Sequence, residues 1–215
     1  MTRRCYLLVG VGRSGTSAIA GTFYRSQFEG NPVQMLDLIP ANKGNPKGFY
    51  EDREVVRLND TILHDAGTWV LCANDTNFGH LLTDTRYDDV VREVLLRYDS
   101  PCFCIKDPRL TLTLPVYVRV LQTMGVECRV VHIRRHYQSI ISSFQSRDGL
   151  TRERARKLIE KYRLTLDVWC KRLQDISWEE IEFEKFMAEP LTVFSRHFPA
   201  EQPNIIYTLK FLGKM

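Results

Sequence analysis

The sequence has no run of apolar residues approaching the roughly 20 needed to cross a bilayer as a helix. Arg3 and Arg4 precede the apolar run Cys5 to Val11 in the manner of a secretory signal, but Arg13 closes it and no small-residue cleavage site follows cleanly. None of the six cysteines (Cys5, Cys72, Cys102, Cys104, Cys128 and Cys170) forms a CxxC pair. HxH, HExxH and Cys/His clusters are also missing, so no metal site is expected. Free thiols in a reducing compartment are the expectation, Cys102 and Cys104 being core residues of an apolar strand. Together these absences lead us to expect a cytoplasmic chain with no membrane span. Charge of one sign is lacking too: 30 basic residues stand against 26 acidic ones, a net charge of +4. That mixture gives no reason to expect a nucleic-acid partner and is compatible with a small anionic ligand. Repeats, low-complexity stretches and linkers are absent. The 215 residues read as one domain, 1–215, long enough to bury a core without disulfides. Oligomeric state leaves no mark in the sequence.

Strand and helix signals alternate, which predicts an α/β fold: three αβα layers around a central, mainly parallel sheet. Residues 5–11 are apolar almost throughout, as in a central strand covered on both faces. A helix is expected over about 16–26. Residues 29–50 read as loop, with one short strand at Val33–Leu38. Val55, Asn59, Ile62 and Ala66 are spaced for one face of a second helix. No element is assigned over 67–84. A third helix is expected over 86–98, then a strand over 102–106 ended by Pro108, and a helix carrying Val116, Val120, Leu121 and Met124. A strand over 128–133 follows, running into Arg134, Arg135 and His136. Helices are expected over 137–147 and 152–173, a strand over Trp178–Phe183, and a short helix from Pro190. The alternation of Ile205, Tyr207, Leu209 and Phe211 reads as an edge strand over 205–212.

The first chemical motif is Gly10-Val11-Gly12-Arg13-Ser14-Gly15-Thr16-Ser17, between the first strand and the first helix. A phosphate-binding loop belongs there. Its backbone N–H groups and the helix N-terminus favour an anion, and glycines let the anion approach. As GxGxxG the loop matches a dinucleotide fingerprint, with Asp37, 22 residues past Gly15, as the candidate ribose-binding acid. Arg13 is bulky for such a loop, and the segment before Asp37 is a poor strand. As GxxxxGK[ST] it lacks the lysine, because Thr16 stands there; that counts against ATP or GTP hydrolysis and against a kinase.

A second anion site is suggested at Ile133-Arg134-Arg135-His136-Tyr137, running on to Ser142 and Ser143. An arginine at a strand end and a serine two turns into the next helix can converge on one phosphate. Two frames fit, Arg135 with Ser143 and Arg134 with Ser142; the first is preferred.

Arg13-Ser14-Gly15-Thr16-Ser17 resembles the 5′-phosphosulfate loop of the PAPS-dependent sulfotransferases (PAPS is 3′-phosphoadenosine 5′-phosphosulfate). Arg135 and Ser143 resemble the pair that holds the 3′-phosphate in that family, with Tyr137 in place of its proline. Gly48-Phe49-Tyr50-Glu51 with Val55, Val56 and Asn59 looks like the GFWE segment of bacterial members. Lys106-Asp107-Pro108-Arg109-Leu110, then Pro115, looks like their KDPR segment, and Ile181 to Pro190 like their late YEDLL stretch. The likeness covers most of residues 5–198 in order. The glycine-rich C-terminal segment of animal cytosolic members is not present, so adenine contacts are unassigned.

The resemblance implies a P-loop-like sulfotransferase fold and sulfuryl transfer from PAPS to a hydroxyl or amine, without a metal. A small-molecule or glycan acceptor is implied: a carbohydrate fits the family, and lipids, peptides and phenols stay open. Gly12, Arg13, Ser14, Gly15, Thr16, Ser17, Arg135 and Ser143 are the implied PAPS contacts. Arg13 and Lys106 would stabilise the leaving group. The base is Glu51 first and Asp107 second. Glu51 has a competing role as a helix cap near Asp52, and Asp107 as a turn residue before Pro108. His64, His80, His132, His136 and His197 are given no role. An NAD(P)-binding oxidoreductase and a noncatalytic nucleotide-binding protein are the alternatives.

Overall fold

A computed structural model describes residues 3–25, 33–42, 45–198 and 205–214. Ser26 of the predicted first helix, and 29–32 and 43–44 of the predicted loop, lie outside the described residues. The strands are β1 (Arg4–Val9), β2 (Cys102–Lys106), β3 (Glu127–Arg134) and β4 (Ser177–Glu182). They form one parallel sheet in the order β2-β1-β3-β4. The helices are α1 (Thr16–Arg25), α2 (Arg53–Asp65), α3 (Asp88–Leu96), α4 (Leu110–Thr123), α5 (Tyr137–Asp148), α6 (Arg152–Arg172), α7 (Phe183–Ala188), α8 (Pro190–His197) and α9 (Ile205–Leu212). This is the expected α/β arrangement.

The pleat of β1 explains the layers. Cys5, Leu7 and Val9 enter one apolar cluster, which α2 to α6 cover. Tyr6 and Leu8 enter the other, beneath α1, α7, α8 and α9. A strand apolar at every position therefore has both faces buried. The register sets Leu8 beside Lys106 on one side and Val131 on the other. The turn after β1 thus emerges between the ends of β2 and β3, the edge where open parallel sheets hold ligands.

Pro115 lies inside α4 and has no N–H to give the carbonyl of Thr111, four residues earlier. The Trp169 indole of α6 donates to that carbonyl at 3.0 Å. The bond ties α6 to α4 at that point.

Two expectations need correction. Residues 205–212 are helical, not an edge strand. Thr208 and Leu212 are buried and Ile205 is exposed, a spacing of four that the alternating apolar residues disguised. The short strand at Val33–Leu38 is reduced to isolated bridges, Gln34 to Phe103 and Leu38 to Asp52, because the backbone turns left-handed at Asp37 (φ 37°). Within 67–84, where no element was assigned, a single 3₁₀ turn forms at Gly79–Leu82.

Candidate functional site

The turn after β1 is held from below. The Thr111 hydroxyl accepts from Gly10 N and donates to Gly10 O, both at 2.9 Å. Gly10 has φ 153°, and a Cβ there would lie 2.7 Å from the carbonyl of Ile133. Gly15 has φ 95°, and a Cβ would fall 2.1 Å from the Phe183 ring. Arg13 itself is left-handed, at φ 71°. These positions show why the loop needs its glycines: the backbone is wedged between β3 and the start of α7.

Above the loop opens a cavity of about 310 Å³. Of the sequence-predicted residues, Gly12, Arg13, Gly15, Thr16, Ser17, Glu51, Lys106, Arg135 and Ser143 line it. Ser14 and Asp107 do not. Ser14 is buried, and its hydroxyl has no hydrogen-bond partner among the described residues. Asp107 is 1% exposed and fully engaged: it accepts from Asn59 at 2.8 Å and from the Arg109 backbone and guanidinium at 3.0 and 2.9 Å. Thr113 extends this network by donating to Asn59 at 2.7 Å.

Glu51 is placed differently. Asp52 caps α2 by accepting from Glu54 N at 2.8 Å, which leaves Glu51 to face the cavity. Lys106 donates to Glu51 Oε1 at 2.5 Å, to the Phe49 carbonyl at 3.1 Å and to Ser17 Oγ at 3.2 Å. Left-handed backbone at Gly48 and Tyr50, φ 97° and 58°, flanks the Phe49 carbonyl that Lys106 holds.

Arg135 donates to the Arg13 carbonyl at 3.0 Å, and its guanidinium lies 4.8 Å from the Phe183 ring centre. Its Nε has no hydrogen-bond partner among the described residues and stands 3.8 Å from Glu184. Arg134 instead points to Glu180, at 2.7 Å, and neither it nor Ser142 lines the cavity. The geometry therefore brings the Arg135–Ser143 frame to the loop. Asp37 is also elsewhere, exposed and paired with Arg53 at 3.3 Å.

Sequence reasoning missed Asp148 and the placement of Arg147. Asp148 takes Arg13 Nε at 2.8 Å and Nη2 at 2.7 Å. An acid is disfavoured at the last turn of a helix, where the macrodipole is negative, and that misplacement was the available signal. Partial burial, and then the nearby Arg13, hold the Arg147 guanidinium below its usual pKa. Five cations (Arg13, Lys106, Arg109, Arg135 and Arg147) line the cavity against two carboxylates, Glu51 and Asp148. No histidine lines it, and no cluster of metal-ligating side chains occurs among the described residues.

No protein-family model matches the sequence, and no curated protein matches it. Solved structures do. The sulfotransferase domain of the Synechococcus PCC 7002 olefin synthase superposes with a TM-score of 0.54 and 12% identity, over 99% of this chain and 74% of that one. Sulfotransferase STF1 from Mycobacterium tuberculosis H37Rv superposes with a TM-score of 0.50 and 14% identity, over 99% of this chain and 71% of that one. The chain shares its fold with these sulfotransferases.

Proposed function

We propose that the chain, acting as one domain, moves a sulfuryl group from PAPS to an acceptor hydroxyl or amine in this cavity. The observation that carries the reading is convergence. Arg13 after β1, Lys106 ending β2, Arg135 after β3 and Ser143 in α5 come from distant stretches of chain, yet line one hollow at the sheet's ligand edge. The donor set suits two phosphate groups, with loop amides and Arg13 for one and Arg135 with Ser143 for the other.

PAPS supplies a sulfuryl group on a phosphate leaving group. Lys106 and Arg13 face the charge that develops on that phosphate, in a partly dry site where such charge is strongly felt. Glu51, which lines the cavity, takes the acceptor's proton in this reading; Asp107, which does not line it and is held by Asn59 and Arg109, is the second candidate. Phe183 closes the loop from the other side and gives Arg135 a ring to stack on.

The test is calorimetric titration without Mg²⁺. Arg135→Ala should weaken 3′-phosphoadenosine 5′-phosphate (PAP) by about 10–100-fold, the scale of a charged hydrogen bond. Adenosine 5′-phosphosulfate, which lacks the 3′-phosphate, should change by less than about twofold. Equal losses for both ligands would refute the assignment. Placement of Asp37 outside the cavity removes the acid on which the NAD(P) reading depended.

A further inference from the structure

The cavity is not polar throughout. At the β2 end, beside Lys106 and Glu51, its wall is built from Val70, Leu71, Pro108, Leu158 and Tyr162. Pro108 follows Lys106 by two residues, and α6, which carries Leu158 and Tyr162, is tied through Trp169 to Thr111 in the first turn of α4, just beyond Pro108. The segment carrying Val70 and Leu71 is pinned over the cavity by α6. The Tyr162 hydroxyl donates to the Val70 carbonyl at 2.9 Å. Lys161 donates to Thr68 Oγ1, the Cys72 carbonyl and Asn74 Oδ1 at 3.0, 3.1 and 2.8 Å. The wall therefore has a fixed shape.

Several of its polar groups are already engaged. The Tyr162 hydroxyl is on Val70, and the Arg109 guanidinium is shared between Asp107 at 2.9 Å and Asp60 at 2.5 Å. The Asn45 amide donates to the Gly48 carbonyl at 2.6 Å. A sugar ring laid on this apolar surface would bury several hydroxyls against groups that offer them no hydrogen bond, which disfavours it. An apolar body would gain by covering Val70, Leu71 and Pro108, which are half-buried, while Leu158 and Tyr162 back the wall from beneath.

We infer that the acceptor is an alcohol or phenol on an apolar body, and that Leu71 is a specificity-determining residue for it. The inference rests on the sulfuryl-transfer reading: the acceptor's hydroxyl meets Glu51 while its body lies on this wall. The sulfur–oxygen bond to the acceptor forms as the bond to the 5′-phosphate oxygen breaks, and the proton passes to the Glu51 carboxylate.

The full chain, saturated with PAP, is titrated with 2-naphthol in a calorimeter. Transfer from labelled PAPS is followed to 2-naphthol, 1-octanol and N-acetylglucosamine. Saturable 2-naphthol binding, and transfer to the naphthol or octanol above the sugar, is expected. Leu71→Gln should weaken 2-naphthol about tenfold and leave PAP within about twofold. Leu71→Met, which keeps the apolar surface, should bind like the wild type and exclude a folding defect as the cause. PAP binding without 2-naphthol binding, or transfer to the sugar alone, overturns this inference and leaves the donor site standing. Failure to bind PAP overturns both.

Discussion

Lys106→Met removes one charge from the cleft and little volume. The ammonium is 3% exposed, and its three hydrogens go to Glu51, Phe49 and Ser17. Its loss leaves the carboxylate of Glu51, itself 7% exposed, with no cation on it. Removing one partner of a buried ion pair costs about 3–5 kcal/mol. Glu51 borders an open cavity, where solvent screens a stranded charge, so we expect less than that, about 2–3 kcal/mol. In a chain of this length that lowers Tm by about 5–10 °C. Glu51→Gln alone should cost less, since Lys106 keeps two other acceptors. Glu51→Gln placed on Lys106→Met removes the stranded charge and should recover about 1–2 kcal/mol, a coupling that a double-mutant cycle reads directly. Urea and thermal unfolding of the four proteins provide the measurement. Strict additivity would mean the pair is solvated and uncoupled. Transfer from labelled PAPS should be lost in both single variants and in the double. Turnover restored in the double would show that Lys106 serves only to balance Glu51.

Three further outcomes are expected. Gly15→Ala should destabilise the fold by more than the ~1–3 kcal/mol of left-handed strain, because its methyl also meets the Phe183 ring; Phe183→Ala in the same chain should relieve only the clash, as urea midpoints would show. Asp148→Asn frees the Arg13 edge and should tighten PAP several-fold at low salt, with the gain shrinking as salt is added; unchanged or weaker binding in calorimetry would mean that Asp148 orients Arg13 instead of competing for it. Burial holds His132 below the ordinary imidazole value, against the pull of Glu180. The fold therefore favours the neutral ring, so this contribution is present above about pH 6.5 and is lost as pH falls below it. His132→Gln should flatten that acid-side slope in unfolding midpoints taken between pH 7.5 and 5, and an unaltered slope would refute the attribution.

The centre of the parallel sheet was legible because β1 and β2 are apolar on both faces, a pattern that few other elements produce. The cavity-lining cations Arg13, Lys106 and Arg135 were legible because they sit at or just after strand ends: in the glycine turn after β1, at the end of β2 and after β3. The C-terminal helix was not. Over eight residues the alternation of Ile205, Tyr207, Leu209 and Phe211 and the four-residue spacing of Thr208 and Leu212 coexist, and packing against α1 decides between them. Thr111 was invisible for another reason. Its partner Gly10 is 101 residues away, and no local pattern marks a hydroxyl that serves a distant backbone.

The two candidate carboxylates show where sequence reasoning stops. Glu51 and Asp107 each precede a helix, and each has a plain structural use. What separates them is competition for partners, which is settled in three dimensions. Asp52 outcompetes Glu51 for the N-terminus of α2, and Glu51 is left beside Lys106. Asp107 meets Asn59 from α2 and the guanidinium of Arg109, and its oxygens are used up. The same logic governs the arginines. Arg134 and Arg135 are neighbours in sequence, but Arg134, the last residue of β3, turns to Glu180 on the neighbouring β4, and Arg135, beyond the strand, turns to the loop. A charged residue's type and its place at a strand end say that it can act on a ligand; whether it is free to do so depends on which neighbours reach it first.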